Sequence, residues 1–292
     1  MIPWRPVVAA TSLVIACGAL LAAGDADGTL RVMSFNVRLG VADDGENSWD
    51  HRKELLGRTV QDFDPDLLGT QETWPLQAEY LLEQLAGREY VGWPRQPGNE
   101  RDREECGILF RRTRFEKLDE GQLWLSETPD VAGSKSWDSS LPRVVTWVKL
   151  RDRTRPDKVL WFFNTHFDHR GPEARRQSAR LLRRRLEEIA PSAWIVTGDF
   201  NCAEGSPPYQ ELAGAANGVV AVVDSYRAVH PTRADGEGTF SAFNGSRSGG
   251  RIDWILHAPT FRTVSAAIDR TEADGRFPSD HYPVTAVLRW KD

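Results

Sequence analysis

The chain has 292 residues, 40% of them hydrophobic and 27% charged, an ordinary globular composition long enough for one large domain or two small ones. Its 37 basic and 42 acidic residues give a formal net charge of −5, the wrong sign for a chain whose main task is to coat nucleic acid. No interior stretch reaches the ~18 apolar residues that span a bilayer, and there is no internal repeat or low-complexity tract.

The first segment stands apart. Trp4-Arg5 precedes an apolar run from Val7 to Ala23, followed by polar Asp25-Ala26-Asp27-Gly28. This is the layout of a secretory signal peptide over residues 1–24, with Ala22-Ala23-Gly24 offering small residues for cleavage. A rival processing site is Val14-Ile15-Ala16-Cys17, which has the form of a lipoprotein box. The chain stays apolar for six residues beyond Cys17, where a lipoprotein usually turns polar, so a cleaved, exported form (secreted or periplasmic) is expected ahead of a lipid-anchored one. The remainder, 29–292, is expected to be a single domain and a monomer. Residues 1–24 carry one charge, Arg5, so the rest holds 36 basic against 42 acidic residues, a net of −6.

In chain order, Leu30–Val37 alternates as a strand and Asp43–Asp50 is a polar loop. Arg52–Phe63 has helical spacing and stops at Pro65. Asp66–Gln71 reads as a short strand, and Pro75–Ala86 as an amphipathic helix with proline at its first position. Strands follow at Cys106–Phe110, Gln122–Leu125, Val144–Leu150 and Val159–Asn164. Pro172–Ile189 is the longest helix, and its Arg183-Arg184-Arg185 run is expected to be a solvated face, balanced by Glu187 and Glu188, in preference to a phosphate-binding patch. Strands resume at Ala193–Thr197, Ile252–His257, Thr263–Ile268 and Pro283–Trp290, and residues 230–251 form a long polar loop. Many strands with few interspersed helices fit two packed sheets with helices outside. Cys106 and Cys202 are expected to be small buried residues, although export would permit a disulfide.

Several apolar strands end in acids, amides or histidines: Asn36, Glu72, His166, Asp168, Asp199, Asn201, Asp253, Asp280 and His281. Hard oxygen donors dominate, and no Cys/His zinc spacing is present. Such a set suits Mg2+ or Mn2+ acting on a phosphate group. There is no glycine-rich nucleotide cradle and no G-x-S-x-G elbow. Extended spacing would put Asp199 with Asn201, and His166 with Asp168, on one side of the chain. Asp280 and His281 are adjacent, so a turn must aim both at one place.

At these residues the chain resembles the endonuclease/exonuclease/phosphatase superfamily, the DNase I-like fold. The matching segments are Met33-Ser34-Phe35-Asn36-Val37, Gly69-Thr70-Gln71-Glu72, Asn164-Thr165-His166, Gly198-Asp199-Phe200-Asn201, Arg251-Ile252-Asp253-Trp254-Ile255 and Ser279-Asp280-His281. The resemblance implies an α/β fold: a four-layer αββα sandwich of two mainly antiparallel sheets packed face to face. It implies a metal-dependent phosphoesterase, most simply a phosphodiesterase that uses activated water. Asn36 and Glu72 would hold the metal, with Asp280 close by. Asp199 would orient or deprotonate the water, and Asn201 would position it with the phosphate. His281 would pair with Asp253 as base or as a phosphate-contacting cation, and His166 would contact the scissile phosphate. Glu105 sits where several relatives carry an acid that supports that histidine, and Arg143 matches a phosphate-binding arginine in some members. The choice of base between Asp199 and His281 stays open.

The substrate stays open too. Arg251-Ile252-Asp253-Trp254 departs from the Trp-Cys-Asp-Arg order of inositol-polyphosphate 5-phosphatases. The export signal disfavours a base-excision role, and the net charge disfavours a nuclease. No exposed aromatic hairpin of the secreted sphingomyelinase kind stands out, since Trp161-Phe162-Phe163 reads as a buried strand. The segment Trp124–Pro129 with Gly133–Asp138 looks like an exported bacterial branch of the superfamily. Sugar or other small-molecule phosphatases, lipid phosphodiesterases and nucleases all remain, as does an inactive binding protein of the same fold, which a missing motif residue would mark; none is missing. Asp43–Arg52, 124–138 and 230–251 are expected to form the rim, with Trp49, Trp137 and Phe243 either stacking on substrate or packing.

Overall fold

The computed structural model describes residues 28–214 and 220–291. The expected signal segment, its cleavage residues and Cys17 lie outside the described residues. Two six-stranded mixed sheets face each other, with helices on their outer faces. The first sheet is built from β1 (Thr29–Asn36), β2 (Leu67–Thr73), β3 (Arg88–Val91) and β4 (Glu105–Arg111), and is completed near the C-terminus. The second contains β5 (Phe115–Trp124), β6 (Val144–Asp152), β7 (Val159–His166), β8 (Ala193–Asp199), β9 (Val223–Asp224) and β10 (Asp253–His257). The C-terminal β11 (Phe261–Ile268) and β12 (Val284–Trp290) return to the first sheet, giving the orders β11-β12-β1-β2-β4-β3 and β5-β6-β7-β8-β10-β9.

Each sheet has one parallel pair at its centre. Helix α1 (Trp49–Phe63) crosses from β1 to β2, which run parallel. Helix α3 (Pro172–Glu188) does the same for β7 and β8. Parallel neighbours require such crossovers, and their consequence is functional. The C-terminal ends of β1, β2, β7 and β8 all open toward one side, where Asn36, Glu72, His166 and Asp199 emerge. Strands β10 and β12 arrive antiparallel, so their N-terminal approaches meet the same edge: Asp253 pairs with Asp199, and Val284 pairs with Ser34.

The apolar side chains sort into three layers between four. Leu30, Val32, Phe110, Phe162, Ile195 and Leu288 fill the space between the sheets. Leu182, Leu186, Trp194 and Trp254 seal α3 onto the second sheet. Met33, Leu56, Val60, Leu81 and Leu109 seal α1 and α2 (Pro75–Gln84) onto the first. Among the described residues no helix is long and apolar enough to cross a membrane.

A polar bridge crosses the inter-sheet core. The fully buried Asn164 on β7 donates through Nδ2 to the Thr70 and Gly107 carbonyls at 2.7 and 2.8 Å. Its Oδ1 accepts from Gln71 Nε2 at 2.6 Å and Thr197 Oγ1 at 3.1 Å. The bridge needs Gly69 beside it, because a Cβ there would overlap Thr197 Oγ1 and Asn164 Oδ1.

Several expected elements differ. Strand β5 begins at Phe115, well before Gln122. It is an edge strand with polar, partly exposed positions and a register shift between Lys117 and Asp119, which hides its alternation. The short β3 and β9, α4 (Pro207–Ala213) and α5 (Ser225–Val229) were unanticipated and are too short to carry a period. In the arginine run, Arg184 is exposed as expected, but Arg183 is only 4% exposed. Its guanidinium donates to the Leu212 and Val220 carbonyls and to Glu187, so it ties α4 and Val220 to α3. Cys106 and Cys202 are both buried and unpaired.

Asn164→Ala would leave two buried backbone carbonyls without their donors, and is expected to cost about 2–4 kcal/mol. Thermal melting should register this as a fall of roughly 5–10 °C; a melting temperature within a degree of the parent would show that the bridge is not structural.

Candidate active site

A cleft of about 830 Å3 opens at the shared strand edge. At its floor lies Asp199, nearly inaccessible to solvent. Its Oδ2 accepts from Asn36 Nδ2 of the opposite sheet at 3.0 Å, and lies 3.4 Å from His166 Nε2 and 3.6 Å from His281 Nε2. Its Oδ1 accepts the Asn201 N–H at 2.9 Å. Four chain segments therefore converge on one carboxylate.

Backbone conformations unusual for side-chain-bearing residues cluster here. Arg38, Glu72, Asn201 and Ala242 all line the cleft with φ of 52°, 57°, 49° and 49°. Such left-handed conformations cost energy in non-glycine residues and persist where surrounding bonds enforce them. Arg52 supplies part of that enforcement. Buried beneath the loop after β1, it donates to the Val37, Arg38 and Pro278 carbonyls at 2.6, 2.7 and 3.0 Å. Ser279 Oγ donates to the Asn36 carbonyl at 2.7 Å. The Asp280-His281 turn is thus bolted to the end of β1.

The two histidines are held in opposite charge states. Burial, reinforced by Arg143, pushes His166 down to about 3, so it is neutral. With Asn201 Nδ2 donating to its Nε2 at 3.0 Å, the ring proton is assigned to Nδ1, which faces Glu104 Oε1 at 3.6 Å. For His281 burial also acts downward, but Asp253 and Asp199 outweigh it and raise its pKa well above the ordinary value. Its Nδ1 lies 3.0 Å from Asp253 Oδ2.

Two groups of oxygens could hold a divalent cation. The ligating atoms of Asp199, Asp253 and His281 lie within 4.8 Å of one another. In that group Asp253 and Asp199 favour the charged form of His281, and an imidazolium cannot ligate a metal. The second group is Asn36, Glu72 and Asp280. Asn36 Nδ2 donates to Glu72 Oε1 at 3.1 Å. The Arg38 guanidinium lies 3.7 Å from Glu72 and 3.9 Å from Asp280, loose pairings that leave both carboxylates short of positive charge. Burial raises the Asp280 pKa, whereas Glu72 is lowered, its burial and the nearby Glu104 being opposed by the Asn36 hydrogen bond and the charged His281. Three hard oxygen donors fit Mg2+ or Mn2+ better than the trio containing the protonated ring.

Of the residues expected from sequence, Glu72, His166, Asp199, Asn201, Asp280, His281 and Arg143 line the cleft, while Asn36 and Asp253 stand just behind it, bonded to Asp199 and His281. Glu105 does not join them. It accepts from Tyr90 OH at 2.7 Å, and Glu104 lines the cleft in its place. Strand parity explains this, because Glu104 shares its face with Ile108 and Phe110 of the inter-sheet core, whereas Glu105 points outward with Leu109. Asp168 also turns away. β7 ends at His166, so alternation no longer applies, and Asp168 collects the N–H groups of Ser140, Leu141, Arg170 and Gly171. Those donors hold its carboxyl well below the usual range despite burial. Asn201 does reach the cleft, but through a left-handed turn instead of extended spacing.

Cleft residues not found from sequence include Arg38, Arg95, Glu104, His169 and Phe240. Arg143 donates to His169 Nδ1 at 3.0 Å, and Glu104 pairs with Arg95 at 2.6 Å and lies 3.6 Å from Arg143. The rim expectation holds for 240–250, whereas 124–138 contributes nothing to the lining and Leu141 and Arg143, just beyond it, do. Asp43–Arg52 contributes nothing to the lining. Trp49 is 7% exposed and packs edge-on against Tyr80, and Phe243 lies over the Arg52 guanidinium.

Residues 33–281 match the family model described as the Endonuclease/Exonuclease/phosphatase family. An endonuclease/exonuclease/phosphatase family protein of Bacteroides thetaiotaomicron superposes with a TM-score of 0.81 at 31% identity, covering 91% of this chain and 99% of that one. A mannosyl-6-phosphatase of the same organism gives 0.78 at 32% identity, covering 89% and 100%. The uncharacterized protein L388 of Acanthamoeba polyphaga mimivirus is 30% identical over 183 residues, 59% of this chain and 67% of its own.

The opposed histidine states have measurable consequences. Nitrogen NMR of the metal-free protein at pH 7 should show His281 as imidazolium and His166 as neutral imidazole. His166 contributes stability that is present above the ordinary histidine pKa of ~6.5 and is lost as pH falls toward about 3. His281 contributes stability that is present below that ordinary value and is lost as pH rises through its raised pKa. Asp253→Asn should move the His281 midpoint down by more than ~1 unit; an unmoved midpoint would mean the ion pair is not its cause.

Proposed function

Since the chain belongs to the endonuclease/exonuclease/phosphatase family, whose members hydrolyse phosphoesters, we propose that it is a divalent-metal-dependent phosphoesterase in which Asp199 activates water for in-line attack. The observation that carries this reading is the convergence of Asn36, His166, Asn201 and His281 on the Asp199 carboxylate. A water hydrogen-bonded to Asp199 Oδ2 loses its proton to that oxygen as its own oxygen bonds to phosphorus. The bond from phosphorus to the leaving oxygen breaks on the far side, and that oxygen takes a proton from solvent water as it departs, while Asp199 later returns its proton to solvent. Asn201 and the neutral His166, hydrogen-bonded to each other at 3.0 Å, border the position of the water beside Asp199. His281 is already charged, so it acts as a fixed hydrogen-bond donor to the developing negative charge, kept in place by Asp253. This favours Asp199 over His281 as the base.

Asn36, Glu72 and Asp280 would hold Mg2+ or Mn2+, which when bound supplies positive charge against the phosphate oxygens. Glu104 steadies the Nδ1 side of His166, together with Arg95 and Arg143. The likeness to a mannosyl-6-phosphatase supports a small-molecule phosphoester, monoesters included, ahead of a polynucleotide. We also propose that residues 1–24 direct export and are removed near Asp25.

Hydrolysis of p-nitrophenyl phosphate, bis-p-nitrophenyl phosphate and a phosphoester panel should require Mg2+ or Mn2+ and stop with EDTA. Asp199→Ala and His281→Ala should each lower kcat by roughly 10²–10⁴, and Glu72→Gln should raise the metal concentration needed. Turnover that survives EDTA, or full activity in both alanine variants, would overturn the mechanism. Intact-mass measurement on protein from the native host should show loss of ~24 N-terminal residues; a full-length mass, or a lipid adduct at Cys17, would overturn the export reading.

A further inference from the structure

The cleft has two dissimilar walls. Strand order separates them, because Glu104 and Arg143 come from the β4 and β6 side, whereas residues 240–250 lead into β10 and pair with the turn before β12. The first wall carries charge of both signs: Arg95, Arg143, Glu104 and His169. The second lines the cleft with Phe240, Ala242, Asn244, Ser246, Ser248 and two glycines, and without a charged side chain.

This second wall is held rigidly to the catalytic pair. Thr239 Oγ1 accepts the Ile252 and Asp253 N–H groups at 3.0 and 3.2 Å, and the Thr239 carbonyl accepts the Tyr282 N–H at 2.8 Å. The Asp280 carbonyl accepts the Ser241 N–H at 2.6 Å, the Ala242 N–H at 3.1 Å and the Ser241 hydroxyl at 2.9 Å. Phe240 bridges to His281 through the backbone, and its ring meets the imidazole edge-on with centroids 5.1 Å apart. Yet Phe240 is 46% exposed, a large apolar surface left open toward the cleft. Beyond it, Ser246 and Ser248 share a hydrogen bond at 2.8 Å, and Asn244 Oδ1 accepts the Ser246 N–H at 2.9 Å. Hydroxyls both donate and accept, and the Asn244 amide hydrogens meet no protein acceptor among the described residues.

We propose that this wall is the leaving-group subsite of the phosphoesterase, and that it takes a neutral, polyhydroxylated ring, a sugar, which stacks on Phe240 and hydrogen-bonds to Asn244, Ser246 and Ser248. The proposal rests on the phosphoesterase reading above. A sugar presents a C–H face for an aromatic ring and hydroxyls for short polar side chains. A polynucleotide would need cations for its flanking phosphates, and this wall lines the cleft with none. Gly250 fits the same picture, since a Cβ there would overlap Ala203, so backbone forms that part of the surface.

The test compares a hexose 6-phosphate, p-nitrophenyl phosphate and a short single-stranded oligonucleotide with Mg2+ present. Phe240→Ala should lower kcat/KM for the hexose phosphate about tenfold, chiefly through KM, and Phe240→Tyr should restore it. The double variant Ser246→Ala, Ser248→Ala should lower the ratio of kcat/KM on hexose phosphate to that on p-nitrophenyl phosphate by a similar factor. Saturation-transfer NMR with free hexose and metal-free protein should show binding that Phe240→Ala abolishes. Wild-type kcat/KM for the hexose phosphate in these variants, or faster hydrolysis of the oligonucleotide than of any sugar phosphate, would overturn the subsite while leaving the hydrolase standing. A wild-type protein inactive on every phosphoester with either metal would overturn the hydrolase reading itself, and the subsite with it.

Discussion

Asp199 is a carboxylate almost without access to water, and an isolated buried charge of that kind would be neutralised or expelled. Here it is kept by donors that no single sheet could provide: the Asn36 amide from β1, the Asn201 backbone, and the His281 imidazolium that precedes β12, with the neutral His166 at the end of β7 beside it. The site therefore exists only while the two sheets hold their spacing. The inter-sheet hydrophobic layer sets that spacing without direction. The Asn164 bridge adds direction, because its four hydrogen bonds reach Thr70, Gly107, Gln71 and Thr197 only in one register. A slip of one residue would turn these partners to the opposite faces.

Charge balance follows from the same burial. Glu72, Asp199, Asp253 and Asp280 are crowded into one region, and His281 answers two of them by keeping its proton. Glu72 and Asp280 have Arg38 at 3.7 and 3.9 Å, beyond hydrogen-bond reach, and feel His281 as a field without bonding to it. The chain thus divides its acids into a pair with a built-in cation and a pair that lacks one, which is the arrangement a hard metal would complete. His166 stands between as the neutral member, because burial and Arg143 both oppose its charging.

The left-handed residues mark where the backbone is bent to serve the cleft. Arg38 and Asn201 follow strands, Glu72 lies one residue from the end of β2, and Ala242 follows the isolated Phe240–His281 bridge; each redirects the chain into the opening. Their conformations are fixed from outside, by Arg52 under the first loop, Asp199 Oδ1 on the Asn201 N–H, and the Asp280 carbonyl on Ala242. Strain and pre-organisation are the same feature here, since a loop free to relax would carry its side chain away from the phosphate.

Local pattern was enough to read the strands that carry Asn36, Glu72, His166 and Asp199, because apolar alternation ending in a polar residue is a short-range signal. Asp253, Asp280 and His281 were found through their motifs, and the two-sheet architecture through the spacing of strands and helices. The sequence by itself thus determined the inventory of the chemistry and the class of fold. Tertiary structure alone decided which atoms meet. Glu104 enters the cleft and Glu105 does not because the face of β4 is defined only by the sheet packed against it. Asp168 leaves because β7 has ended and loop N–H groups claim it. Phe240 becomes a wall of the site through pairing with a turn some forty residues later. Each of these depends on contacts between distant segments, and local propensity carries no information about which distant partner a residue will meet.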